Sequence, residues 1–130
     1  MLTLKQAQSL SATAVKLATG RRQAVAVSIC DEHGELLHFC RMDTTAYHAG
    51  VLAQSKAYTA ARDRQPSGDL GAWAQATGKD ISYWSDPKIT GFKGGLPIVQ
   101  HGKVIGGIGI SGLSEEDDEA LASETLVCLA

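Results

Sequence analysis

The chain has 130 residues, 44% of them apolar and 20% charged, with a formal net charge of -2. That size suits a single domain spanning residues 1–130, with a core that needs no metal or disulfide staple. The charge balance argues against a nucleic-acid partner, and no apolar run approaches the roughly 18 residues of a membrane span.

In chain order, Thr3-Leu-Lys-Gln6 has the pattern of a capping box. Leu4, Ala7, Leu10, Ala14, Leu17 and Ala18 follow on one helical face, and Gly20 stops the run, which predicts a helix over 4–19. AVAVSIC (24–30) predicts a strand, Asp31-Glu-His-Gly34 a tight turn, and Glu35 to Met42 a returning strand. Both faces of the first strand are apolar or small, so both are expected to be covered. Thr44 or Thr45 is expected to cap a second helix from Ala46 to about Arg64, which Pro66 ends. Ser67 is expected to cap a third helix over Asp69–Thr77, closed by Gly78. Residues 79–92 hold Tyr83, Trp84 and Phe92 in an irregular stretch, with room for an extra strand near Lys88 to Phe92. Leu96 to Gln100 and Val104 to Ser111 form a second hairpin, and Ser114-Glu-Glu-Asp117 opens a last helix running to the end. Strands joined by short turns are antiparallel, so the order predicts an α+β domain with a meander-like sheet.

The stretch Gly107-Ile-Gly109-Ile-Ser-Gly112 has the GxGxxG spacing of a dinucleotide turn. That turn must open a crossover helix and lead to a second parallel strand. Only 18 residues follow Gly112, and the last helix uses nearly all of them. The strand alternation offers a better reading: Ile105, Gly107, Gly109 and Ser111 make one face nearly bare. Such a strip implies close approach to the backbone by a helix, a subunit or a flat ligand. No catalytic set emerges: Gly109-Ile-Ser111-Gly112-Leu113 lacks the second glycine of GxSxG, and neither HExxH nor an EF-hand is present.

Taken together, RMDTTAYHAGVLAQSKAYTAA (41–61), GGLPIVQHGKVIGGIGISG (94–112) and EDDEALA (116–122) resemble the GlcG/HbpS family. Its members also occur as the C-terminal domain of the PduO type of cobalamin adenosyltransferase. The shared elements are Met42-Asp43, Lys56-Ala57-Tyr58-Thr59-Ala60, Gly94-Gly95-Leu96-Pro97, Gly107 to Gly112, and Asp118 to Ala122. The resemblance implies a profilin-like fold with a five-stranded antiparallel sheet packed with helices. It also implies a homo-oligomer and, in several members, heme binding. Other members accompany glycolate or diol metabolism genes.

Heme needs an apolar slot, an axial ligand and cations for its propionates. Among His33, His38, His48 and His101, the second-helix His48 stands two turns before Lys56 and is the expected metal ligand. His33 and His101 read as solvated turn residues and His38 as packed. Lys56, among alanines, is the expected holder of an anionic group. Asp118 is placed at the last helix N-terminus, and Arg41 and Arg62 are further cations that nothing selects. The first helix contains no His, Cys or Tyr, and no Cys-Pro dipeptide occurs. The expected ligand-binding set is therefore His48, Lys56, Gly94, Gly95, Gly107, Gly109 and Asp118. They would line a pocket between the second helix, the Gly94-Gly95 turn and the bare strand face. The expected function is binding of heme or another small anionic molecule. The alternative is an enzyme or accessory protein of small hydroxy acid, diol or aldehyde metabolism, with Lys56 as its reactive or anion-holding group.

MLTLKQAQSL lacks a basic segment followed by an apolar one, so a cytoplasmic address is expected. Cys30, Cys40 and Cys128, with no CxxC, are expected to be reduced, buried thiols.

Overall fold

A computed structural model describes residues 1–129. The elements are α1 (Leu4–Gly20), β1 (Ala26–Asp31), β2 (Leu36–Arg41), α2 (Tyr47–Asp63), α3 (Ser67–Thr77), a 3-10 turn (Ile81–Trp84), β3 (Gly95–Gln100), β4 (Lys103–Ser111) and α4 (Glu115–Val127). All strand pairs are antiparallel, in the order β2-β1-β4-β3. The architecture is α+β. The sheet is not a meander, because the outer strands of the sequence, β1 and β4, lie side by side at its centre.

The described sheet has four strands, not the five expected. The stretch Lys88–Phe92 stays out of it for two reasons. The Thr90 N–H donates to Thr59 Oγ1 of α2, and Gly91 lies back to back with Gly71 of α3, leaving no room for a Cβ on either. This segment is held by helices and never reaches the β3 edge.

Both sheet faces are covered, as the small and apolar residues of β1 demand. One face carries Val27 and Ile29 of β1 beside Ile108 and Ile110 of β4 and Ile98 of β3. Ala7, Leu10, Ala14 and Ala18 of α1 and Leu121 and Ala122 of α4 close over them into the main core. On the other face α2 lies on Ala26, Gly107 and Gly109. A Cβ on Gly109 would stand 2.0 Å from the Ala53 carbonyl, and one on Gly107 2.3 Å from the Ala57 carbonyl. The bare strip is the seat of a helix, and no ligand can lie on it.

Local signals explain the helix ends unevenly. Thr3 and Gln6 close a full capping box on α1, and Ser114 Oγ accepts from the Asp117 N–H at the start of α4, whose first turn carries four acids. α2 starts at Ala46 without a side-chain cap, contrary to expectation. Thr44 has a left-handed backbone, and the Thr45 hydroxyl is turned inward and buried. α3 begins at Ser67, with Pro66 as its cap residue. The Ser67 hydroxyl instead donates to the Phe92 carbonyl at 2.6 Å and accepts from the Gly95 N–H at 2.9 Å. All three cysteines are free; Cys30 is buried, Cys40 half-buried, and Cys128 exposed rather than buried as expected. The end of the last helix is described to Val127, and Ala130 lies outside the described residues.

Candidate functional site

Four of the expected site residues meet, but in a packed node. Lys56 of α2 and Asp118 of α4 are each only 2% exposed. Lys56 Nζ donates to Asp118 Oδ2 and to the Ile110 carbonyl, both at 2.9 Å, and Asp118 Oδ1 accepts from the Leu113 N–H at 3.0 Å. Burial pushes the Asp118 carboxyl above its ordinary value, against the pull of the Lys56 ammonium and the Leu113 amide. Gly94, at φ 127°, passes so close that a Cβ would lie 2.8 Å from Lys56 Nζ. Gly95 packs on the Lys56 carbonyl in the same way. The Lys56 ammonium therefore already has its anion. The pocket expected beside Gly94, Gly95, Gly107 and Gly109 is filled by α2 and this ion pair. His48, on the first turn of α2, is exposed, whereas Lys56 is buried. It does not join the other expected residues.

The cavity lies along the opposite rim of α2. A cleft of about 860 Å³ opens between α2 and the β1–β2 hairpin. Its floor is Ser28 and Cys30, the two β1 residues that continue the small face beyond the glycine strip. One wall is Val51, Gln54, Ser55, Tyr58 and Arg62 of α2, and the other is the hairpin from His33 to Leu36, with Lys88 at one end. The hairpin tip is fixed there. Gly34, at φ 85°, takes a turn conformation that also lets the Tyr58 ring press on it, and Arg62 Nη1 donates to the His33 carbonyl at 3.0 Å.

One end of the cleft carries two cations, Arg62 and Lys88, with the Asp86 carboxylate beside them. The Arg62 guanidinium lies 5.2 Å and the Lys88 ammonium 5.4 Å from the centre of the Tyr58 ring. The Tyr58 hydroxyl donates to Asp86, which raises the phenol and holds the Asp86 carboxyl below its ordinary value. On the floor the Cys30 thiol donates to the Ala57 carbonyl, and burial pushes it up to about 12. It is neutral at physiological pH and a poor nucleophile. The Ser28 hydroxyl is buried without a hydrogen-bond partner.

The family model described as "Haem degrading protein HbpS-like" matches residues 2–126. The chain belongs to this HbpS-like family. It is 33% identical over 128 residues to an uncharacterized 15.0 kDa protein of the dhaT-dhaS intergenic region of Citrobacter freundii, covering 97% of this chain and 87% of that one. It is 30% identical over 111 residues to Protein GlcG of Escherichia coli K12, covering 85% of this chain and 81% of GlcG. A solved PduOC:heme complex superimposes with a TM-score of 0.87 at 30% identity, covering 97% of this chain and 93% of that one. The resemblance carried by Met42-Asp43, Lys56 to Ala60 and Gly94 to Gly112 thus holds over nearly the whole chain. Those residues are mostly the ones that seat α2, which is why they mark the fold better than the site.

The cleft residues His33, Tyr58 and Lys88 were not singled out as ligand-facing by the sequence. Tyr58 and Arg62 lie one turn apart on α2, a spacing that marks a shared face once the helix is known. Nothing local connects Lys88 to them, because a folded-back loop brings it there. Among the described residues no helix is long and apolar enough to cross a membrane, and no group of three or more His, Cys, Asp or Glu side chains could hold a metal ion.

Proposed function

We propose that this chain binds heme, or a flat acid of similar build, in the cleft between α2 and the β1–β2 hairpin. The observation that carries the reading is the pairing of a cavity of about 860 Å³ with the cations Arg62 and Lys88 at one end. Its volume lies within the roughly 300–1,000 Å³ typical of small-molecule sites. Leu36, Val51 and the Tyr58 ring supply apolar wall, while Arg62 and Lys88 supply the charge that propionates need. The family description and the PduOC:heme complex support the choice of ligand.

The donor set of the cleft fits the group. His33 is the imidazole among the lining residues and would hold the iron; bound there, heme would supply a redox-active metal. Tyr58 is engaged by Asp86 and Cys30 is held as a neutral thiol, so neither competes. In this reading His33 of the hairpin turn, rather than His48, would take the axial role. Arg62 fixes the hairpin carbonyl of His33 and orients the turn that carries the imidazole.

Titration of the purified protein with hemin, followed through the Soret band, tests the reading. A saturable shift with one site per chain is expected, weakened in His33→Ala and unchanged in His48→Ala. The absence of a saturable shift overturns it. The enzymatic alternative that relied on Lys56 has lost its group to Asp118. A homo-oligomer remains part of the proposal: exposed Tyr83, Phe92 and Val99 are apolar side chains that a subunit contact would cover. Native mass spectrometry reads both subunit number and bound ligand.

A further inference from the structure

Lys88 reaches the cleft from a segment, residues 85–91, that lies outside every helix and strand. A lysine on such a segment is free to wander unless its backbone is fixed. Here it is fixed through Asp86. Asp86, Pro87, Lys88 and Ile89 form a turn in which the Ile89 N–H donates to the Asp86 carbonyl at 3.2 Å. Asp and Pro are favoured at the first two positions of such a turn. The Asp86 side chain then serves it twice. Its Oδ1 accepts from the Lys88 N–H at 3.0 Å, and its Oδ2 accepts from the Tyr58 hydroxyl of α2. Beyond Lys88, the Thr90 N–H donates to Thr59 Oγ1 at 3.0 Å. Lys88 is thus tied on both sides to adjacent residues of α2.

The same carboxylate lets two like charges share one ring. Arg62 and Lys88 both stand within cation–π distance of Tyr58, and they repel one another. Both also pull the Asp86 carboxyl below its ordinary value, after the larger effects of the Tyr58 hydroxyl and the Lys88 amide. Tyr58, Arg62 and Lys88 line the cleft, whereas Asp86 is not part of the lining. Charge and geometry therefore make opposite claims about it. As a bare negative charge, Asp86 would oppose the binding of an acid. As the anchor of Lys88, it would favour it.

We infer that Asp86 is a positioning residue of the cleft: clasped by the Tyr58 hydroxyl, it sets the Lys88 ammonium beside Arg62, and so selects ligands with free carboxylates. The inference rests on the cleft being the ligand site. Asp86 acts through Lys88 and touches no ligand itself. Removing it costs affinity for an acid, although the chain then carries one negative charge fewer.

The experiment measures, by Soret absorbance, the preference for hemin over hemin dimethyl ester, which keeps the ring and the iron but has both carboxylates capped. The proteins are wild type, Tyr58→Phe, Asp86→Ala, Lys88→Ala and the double variant Asp86→Ala, Lys88→Ala, with thermal melting alongside. Tyr58→Phe keeps the ring that presses on Gly34 and changes no charge. Tyr58→Phe and Asp86→Ala are each expected to lower the preference about fivefold, the order of one hydrogen bond. Once Lys88 is gone, Asp86→Ala lowers it no further. A preference that is unchanged or higher in Asp86→Ala overturns the inference and leaves the cleft reading standing, because the carboxylate is then a charge alone. An unchanged preference in Tyr58→Phe also overturns it. So does a loss from Asp86→Ala that persists without Lys88, or a variant that melts well below wild type, since the effect is then on the fold. Failure of the wild-type chain to bind hemin removes the cleft reading and the inference together.

Discussion

Lys56 Nζ stands 2.9 Å from Asp118 Oδ2, and the two residues come from helices on opposite faces of the sheet. The pair ties the α2 layer to the α4 layer at one end of β4, where Lys56 also reaches the Ile110 carbonyl. Both groups are buried, so removing either leaves the other as an uncompensated buried charge. Lys56→Met leaves Asp118 buried without its counter-ion and is expected to destabilise the fold by about 3–5 kcal/mol. The double variant Lys56→Met, Asp118→Leu is expected to regain most of that loss. Urea titrations of the three proteins check it, and a double variant as unstable as the single one counts against the pair as the cause.

The seat of α2 gives a second prediction. Gly109→Ala places a methyl 2.0 Å from the Ala53 carbonyl, so the helix must lift. A loss of about 3 kcal/mol is expected, at the upper end of ordinary overpacking. Gly20→Ala serves as the control, because nothing lies within 4 Å of the added carbon, and it should melt at or slightly above the wild-type temperature. Equal melting of the two variants would contradict the close helix seat.

Cys30 and Cys128 should separate chemically. The exposed Cys128 thiol reacts with iodoacetamide at pH 8, while buried Cys30, pushed up to about 12, does not. The same shift sets a pH dependence. Between an ordinary thiol value near 9 and 12 the unfolded chain loses this proton and the folded chain keeps it. The folded state binds more protons there, so stability falls as pH rises, by about 1.4 kcal/mol per unit from this group. Cys30→Ala should show a correspondingly shallower alkaline decline in denaturant titrations from pH 9 to 11.

At the cationic end, Lys88→Glu is expected to weaken hemin about tenfold at low salt, with the deficit shrinking as ionic strength rises. Lys103→Glu, outside the cleft, should leave affinity unchanged. Equal effects from the two substitutions would mean a general charge effect in place of a built carboxylate end.

Much of the fold was readable because it rests on local periodicity. The Thr3–Gln6 box, the α1 stripe from Ala7 to Ala18 and the alternation in β1 each act within a few residues and appear in place. Leu4, by contrast, is exposed, and a bulge opposite Ile98 and Val99 turns Ile105 into the main core, off the bare strip expected for it. The central pairing of β1 with β4 was hidden because nothing in either strand names its neighbour across some 80 residues of chain. The site was less legible for the same reason. Lys56, Asp118, Gly94 and Gly95 were rightly grouped, but their ion pair and close packing give the same sequence pattern as an anion pocket. The exposure of His48 depends on how α2 turns on the sheet, which its own spacing cannot fix.

The glycines under α2 have a consequence for the cleft they do not touch. They fix how low the helix rides, and so fix the gap between its outer rim and the hairpin. A single carbon added on that hidden strip would tilt α2 and widen or shut the opening, with every lining side chain left intact. The width of the cleft can thus be retuned from behind the wall, by positions that no comparison of lining residues would single out.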